Sequence, residues 1–146
     1  MDATLRYDSL LRFYGEKYGV NWLLLKAQVK AESDFTPRAK SPVGARGLCQ
    51  FMPATFAEWS AKLQIPNPDP YNPEHSIQCQ AAYMSWLIRQ FMGHQPKAIA
   101  AYNWGIGNVK KVTTDEASWV AHLPNETQNY LARIETFYER YRTETV

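Results

Sequence analysis

Apolar residues in this chain recur at helical spacing almost from end to end, and no apolar–polar alternation runs longer than a few residues. That pattern constrains the fold more than any other feature. It gives no basis for a half-buried sheet, so the core must close helix against helix. Leu5, Leu10, Leu11, Phe13, Tyr14 and Tyr18 mark a first amphipathic helix ended by Gly19. Asn21 stands as the N-cap of a second helix from Trp22 to about Ser33. Residues 34–46 hold two prolines and a glycine and read as a loop. Pro53 opens a third helix over 53–64, and residues 65–73, with four prolines in nine positions, are irregular. From Pro73 to Met92 an apolar face of Ile77, Ala81, Met84, Leu87, Ile88 and Phe91 predicts a long helix stopped by Gly93. A shorter helix over 96–104 ends at Gly105-Ile106-Gly107. After a loop and a turn around Ser118–His122, a final helix runs from about Glu126 to Tyr141. The expectation is one mainly α domain over residues 1–146, of about six to eight helices, with any β structure confined to loops.

Length agrees, since 146 residues is the size of one ordinary domain. Sixteen basic against fourteen acidic side chains leave a formal charge of +2, not the basic stripe of a nucleic-acid binder. No apolar run approaches the roughly eighteen residues needed to span a bilayer, so no membrane insertion is expected. The N-terminal residues lack the basic start, apolar stretch and cleavage site of a signal peptide. If the work lies outside the cytoplasm, something else delivers the chain or a leader has been removed. Cys49 and Cys79 make neither a disulfide framework nor a four-ligand zinc site, leaving one bridge or two reduced thiols. Aromatic residues reach 14%, which implies a ring-rich core, a ring-lined site for sugar-like ligands, or both.

Glu32 is the most informative position. Trp22, Leu25, Val29 and Glu32 are spaced to share one face of the second helix, otherwise wholly apolar. A carboxyl there loses hydration, which raises its pKa and suits a general acid near neutral pH. The plainer alternative is a Glu at a frayed helix end, still reaching water. Asp34 is about 200° further round the helix, so it does not pair with Glu32 there; in a loop the argument weakens. Gly44-Ala45-Arg46-Gly47-Leu48-Cys49-Gln50-Phe51-Met52-Pro53 reads alone as a turn entering a helix. Ala101-Tyr102-Asn103-Trp104-Gly105 reads as a helix end, and Glu126 and Tyr130 as neighbours on the last helix.

Together these segments resemble the lytic transglycosylase domain of the soluble (SLT) type, within the lysozyme-like superfamily. That family carries Glu-Ser at a helix end, here Glu32-Ser33. It continues with Gly-Leu-Met-Gln-x-Met-Pro, here 47–53, then Ala-Tyr-Asn-Ala-Gly, here 101–105, and Glu-Thr-x-x-Tyr, here 126–130. Ser41-Pro42-Val43-Gly44-Ala45 and Asn72-Pro73-Glu74 are also family-like. The resemblance runs in order from about Gly19 to Ile134, and its departures are Cys49 for Met and Trp104 for Ala.

The resemblance implies cleavage of the β-1,4 bond between N-acetylmuramic acid and N-acetylglucosamine in peptidoglycan, without metal or cofactor. Glu32 would protonate the glycosidic oxygen, with the substrate's 2-acetamido oxygen stabilising C1. Glu32 would then take the proton of the muramic C6 hydroxyl as it closes a 1,6-anhydro ring. Carried over by position, Tyr102 would orient the acid or the acetamido group. Gln50 and Met52 would line the cleft, Ser33 and Asn103 would support the acid and the N-acetyl groups, and Glu126 and Tyr130 would form a sugar subsite. Trp104 is a third ring expected in the cleft. The implied partner is the glycan strand, acted on by a monomer delivered by a phage or belonging to a bacterium.

Two other readings compete. A hydrolytic muramidase on the same type of fold would need Asp34 or Glu126 to activate water. A non-catalytic wall-binding or virion module would have no need of an acid on an apolar face. Between Lys26 and Arg46 five basic residues (Lys26, Lys30, Arg38, Lys40, Arg46) outnumber two acidic ones, and a basic rim there would attract the carboxylates of peptidoglycan.

Overall fold

The computed structural model describes residues 3–112 and 117–144. Tyr7 precedes α1 (Asp8–Tyr18), which Gly19 closes as its spacing predicts. In α2 (Trp22–Ser33) the expected cap forms: the Asn21 side chain accepts the Leu23 N–H at 2.9 Å. Pro53 and Pro73 open α3 (Pro53–Lys62) and α4 (Pro73–Gln90), and the Asn72 side chain caps α4 through the His75 N–H at 3.1 Å. The pair α5 (Gln95–Trp104) and α6 (Ile106–Val112) is followed by a 3-10 turn over Trp119–His122, and α7 (Asn125–Glu144) completes the chain. Among the described residues there is no strand. Two isolated antiparallel bridges, Lys40 with Arg46 and Arg46 with Phe51, lie in the loop between α2 and α3.

The expectation of a loop directly after Gly105 fails, because Ile106–Val112 form α6. Two glycines two positions apart, Gly105 and Gly107, resemble a stop, yet only Gly105 breaks the helix. Its φ of 100° is open to glycine and turns the chain. The Gly105 carbonyl then accepts the Val109 N–H at 3.1 Å, and wholly buried Val109 holds the new helix to the core. Of the loop expected beyond it, residues 113–116 lie outside the described residues. The last helix also runs three residues past the expected Tyr141.

Helix α2 is the axis of the molecule. It packs between α1 and α7, while α4 joins α1, α3 and α5. Six consecutive α2 residues, Leu24 to Val29, are buried. Each fully buried leucine in such a core contributes roughly 1.5–3 kcal/mol. This burial corrects one expectation for the basic rim. Lys26 is only 4% exposed, pairs with Asp8 at 2.9 Å and lies over the Tyr141 ring at 4.6 Å. Its charge is absorbed between α1 and α7 and never reaches the rim. Cys49 and Cys79 are buried free thiols, and burial pushes Cys79 up to about 12.

The aromatic excess is also resolved. Phe51, Phe56, Trp59, Tyr83, Trp86 and Tyr102 form one continuous cluster, with neighbouring ring centroids 5.4–6.2 Å apart. It joins α3, α4 and α5, and one edge of it faces the cleft described next.

Candidate active site

Glu32 occupies the last turn of α2, where the buried face of Leu25 and Val29 meets an open cleft of about 420 Å³. Its carboxyl is pushed up to about 7, chiefly by burial. A hydrogen bond from the Tyr130 hydroxyl and the charge of Arg133 pull the other way, and Glu126 adds a smaller upward push. Burial wins, so the group is poised between its acid and base forms near neutral pH.

The wall opposite is the loop from Ala39 to Met52, and several expected site residues hold that wall in place. The Ser33 hydroxyl donates to the Leu48 carbonyl at 2.8 Å, tying the end of α2 to the loop. The Gln50 amide donates to the Gly47 carbonyl at 2.9 Å and to Ala39 at 3.2 Å. From α5 the Tyr102 hydroxyl donates to the Cys49 carbonyl at 2.8 Å. These bonds are made within the protein; the Tyr102 oxygen keeps its lone pairs, and Gln50 still lines the cleft.

Met52 stands at the lip, 44% exposed, immediately before α3. The Asn103 carbonyl accepts from the Thr127 hydroxyl at 2.9 Å, which leaves the amide nitrogen as its donor edge within the cleft. Glu126, exposed at the start of α7, and Trp104 also line the cleft. Tyr130 does not offer its ring to the cleft. It is 1% exposed and lies behind Glu32, its hydroxyl on the carboxyl. Burial and Glu32 raise the Tyr130 pKa well above its ordinary value, so it remains a donor.

Asp34 is the C-cap of α2 in a left-handed conformation, φ 50°, and pairs with Lys30 at 2.6 Å. Its side chain is 71% exposed and does not line the cleft. Of the basic residues singled out, Lys30 and Lys40 border a second, shallower recess that shares Glu32 with the cleft. Arg133 joins them from α7, a residue the sequence reading did not single out. Tyr83 and Thr55 were also missed. Periodicity within α4 does not connect Tyr83 to the cleft; the fold brings its ring within 5.5 Å of Tyr102.

A family model, the transglycosylase SLT domain, matches residues 9–119. The chain belongs to the SLT family. Over 131 residues it is 32% identical to the peptidoglycan transglycosylase gp16 of Escherichia phage T7, covering 88% of this chain and 10% of that protein. It is 30% identical to the soluble lytic murein transglycosylase of Salmonella typhimurium, covering 94% of this chain and 23% of the relative. Among solved structures, an inactive Glu-to-Gln mutant of the lytic transglycosylase Slt of Pseudomonas aeruginosa superposes with a TM-score of 0.89 at 29% identity. That match covers 97% of this chain and 24% of the other. The chain thus spans between a tenth and a quarter of the length of these relatives, and the mainly α, lysozyme-like architecture expected from sequence is the SLT domain fold. Among the described residues no cluster of His, Cys, Asp or Glu is arranged to hold a metal, and no helix is long and apolar enough to cross a membrane.

Proposed function

We propose that this SLT domain is a peptidoglycan lytic transglycosylase with Glu32 as its acid and base. The observation that carries the reading is the placement of Glu32: a carboxyl held near 7 by burial, open to a sugar-sized cleft and bonded from behind by Tyr130. The glycosidic oxygen takes the Glu32 proton as the C1–O bond breaks and N-acetylglucosamine leaves. The substrate's own acetamido oxygen stabilises C1, the substrate-assisted alternative to a second enzyme carboxylate. Glu32, now ionised, takes the proton of the C6 hydroxyl as its oxygen bonds to C1. Water is not consumed. The Pseudomonas relative is inactive in a Glu-to-Gln form, so a glutamate is essential to that protein's activity.

In this reading Tyr130 aims the acid, rather than contacting sugar, because its ring is buried. Asn103 offers its amide to an N-acetyl group, and Tyr102 accepts from one. Gln50, Met52, Trp104 and Glu126 shape the glycan subsites, and Ser33 fixes the acid's helix to the cleft wall. Residues 1–146 act as one monomeric catalytic unit on glycan strands, in the periplasm or cell wall. The hydrolytic alternative retains only Glu126 as its base, since Asp34 is turned to solvent on Lys30.

The pH profile tests the acid assignment. The first step needs protonated Glu32, so release of soluble fragments from purified sacculi is expected to hold at acidic pH and fall about tenfold per pH unit beyond the midpoint near 7. A falling limb absent up to pH 9 contradicts it.

A further inference from the structure

Behind Tyr130 lies a buried polar chain that the reaction as described does not use. Gln28 sits on α2 one turn before Glu32, and Gln80 on α4; both are wholly buried. The Gln28 amide nitrogen approaches the Tyr130 hydroxyl oxygen at 3.4 Å and the Met84 sulfur at 3.5 Å. The Gln80 amide nitrogen donates to the Leu25 carbonyl at 3.0 Å and approaches the Gln28 carbonyl oxygen at 3.4 Å. The Gln80 carbonyl oxygen faces the Cys49 thiol at 3.5 Å.

Amide chemistry gives this chain one direction. The Leu25 carbonyl can only accept, so the Gln80 nitrogen must face it. The second Gln80 N–H then meets the Gln28 oxygen, which turns the Gln28 nitrogen toward Tyr130. Reversing Gln28 would set two N–H2 groups against each other. With its oxygen lone pair facing Gln28, Tyr130 has its proton free to turn toward the Glu32 carboxyl beside it. Every donor from Cys49 onward therefore points toward the acid. Two buried amides are a costly way to fill a core that apolar side chains would pack more cheaply. Cys49, a departure from the family's Met, supplies the first donor of the chain.

We propose that Gln28 and Gln80 are positioning residues for the reaction, a buried amide pair that fixes the Tyr130 hydroxyl as a donor to Glu32. The inference rests on the reading of Glu32 as the acid. Other groups face Glu32 as well: Arg133 and Glu126 from α7, Cys49 from the loop, Tyr102 from α5, and the Lys30–Asp34 pair at its own helix end. None of them is altered by the variants that test the pair.

Direct titration of Glu32 by carbon NMR, in protein labelled at the glutamate carboxyls and without substrate, decides it. The Glu32 signal is the one missing from Glu32→Gln. Gln28→Met keeps length but not the donor, so Tyr130 donates less well and the ionised acid loses support. The Glu32 midpoint should rise by roughly half a pH unit or more. Tyr130→Phe should raise it at least as much, and the double variant no further than Tyr130→Phe alone. An unchanged midpoint in folded Gln28→Met, or shifts that add in the double variant, overturns the proposal. Should Gln28→Met not fold, Gln80→Leu replaces it, with the same upward shift expected and an unchanged midpoint equally fatal. The midpoint is read without catalysis, so failure of the acid assignment stays separate. In that case the NMR midpoint moves while the falling limb of the rate profile does not follow.

Discussion

Glu32→Gln is expected to reduce peptidoglycan cleavage by about 10³-fold or more while sacculus binding persists, because the substitution keeps size and polarity and removes only the exchangeable proton. Co-sedimentation with sacculi reads the binding and fragment release reads the chemistry. Residual cleavage within tenfold of the parent would contradict the assignment. The same variant should be more stable than the parent, in a pH-dependent way. The carboxyl rises from an ordinary 4.5 to about 7 on folding, so the folded state holds its proton more tightly. Below about 4.5 the group is neutral in both states and costs nothing through its charge. Between 4.5 and 7 the unfolded chain ionises first, and stability falls as pH rises. Above 7 the full penalty stands, on the order of 1–3 kcal/mol. Glu32→Gln removes it. Urea denaturation should show the variant ahead at pH 8 and level with the parent at pH 4; a variant less stable at pH 8 would show that the carboxylate is not strained by burial.

Gly47→Ala is the second large effect. Gly47 has φ 83° where the loop crosses the chain before α4. A Cβ built there would meet the Pro70 carbonyl oxygen at 2.0 Å and its carbon at 3.0 Å. Both are backbone atoms, so no side chain can swing aside, and the strained φ adds its own cost. A loss on the order of 3 kcal/mol is expected in thermal or urea unfolding. Activity should drop as well, because the Gly47 carbonyl anchors Gln50 and the Gly47 N–H bonds to Ala39 across the cleft wall. Gly44→Ala is the control: φ is 97° but nothing lies within 4 Å of its Cβ, so only the backbone strain remains. Equal stability losses at the two positions would contradict the steric account.

Helix positions were legible in the sequence because their signals are local. The Asn21 cap, the prolines that open α3 and α4, and the Trp22–Leu25–Val29–Glu32 face each depend on residues within a turn of one another. What escaped depends on distant neighbours. Lys26 reads as a rim charge until Asp8 and Tyr141 close over it. Arg133 and Tyr83 reach the site only through the packing of α7 on α2 and of α4 on α5. The buried amides Gln28 and Gln80 fall at helical spacing from Leu25 and from Ile77 and Met84, but spacing cannot show that the two glutamines meet across α2 and α4. For Tyr130 a signal was available: Thr127, Tyr130, Ile134 and Tyr141 are spaced to share the buried face of α7. That spacing places the ring in the core and leaves its hydroxyl for the acid.

Mass spectrometry of the fragments released from purified sacculi tests the central claim most directly. Intramolecular attack by the C6 hydroxyl leaves 1,6-anhydromuramic ends, each lighter by one water than the reducing end that hydrolysis would leave. Anhydro ends throughout the digest are the predicted result. Reducing ends in their place would make this domain a hydrolase, with Glu126 the carboxylate to examine next.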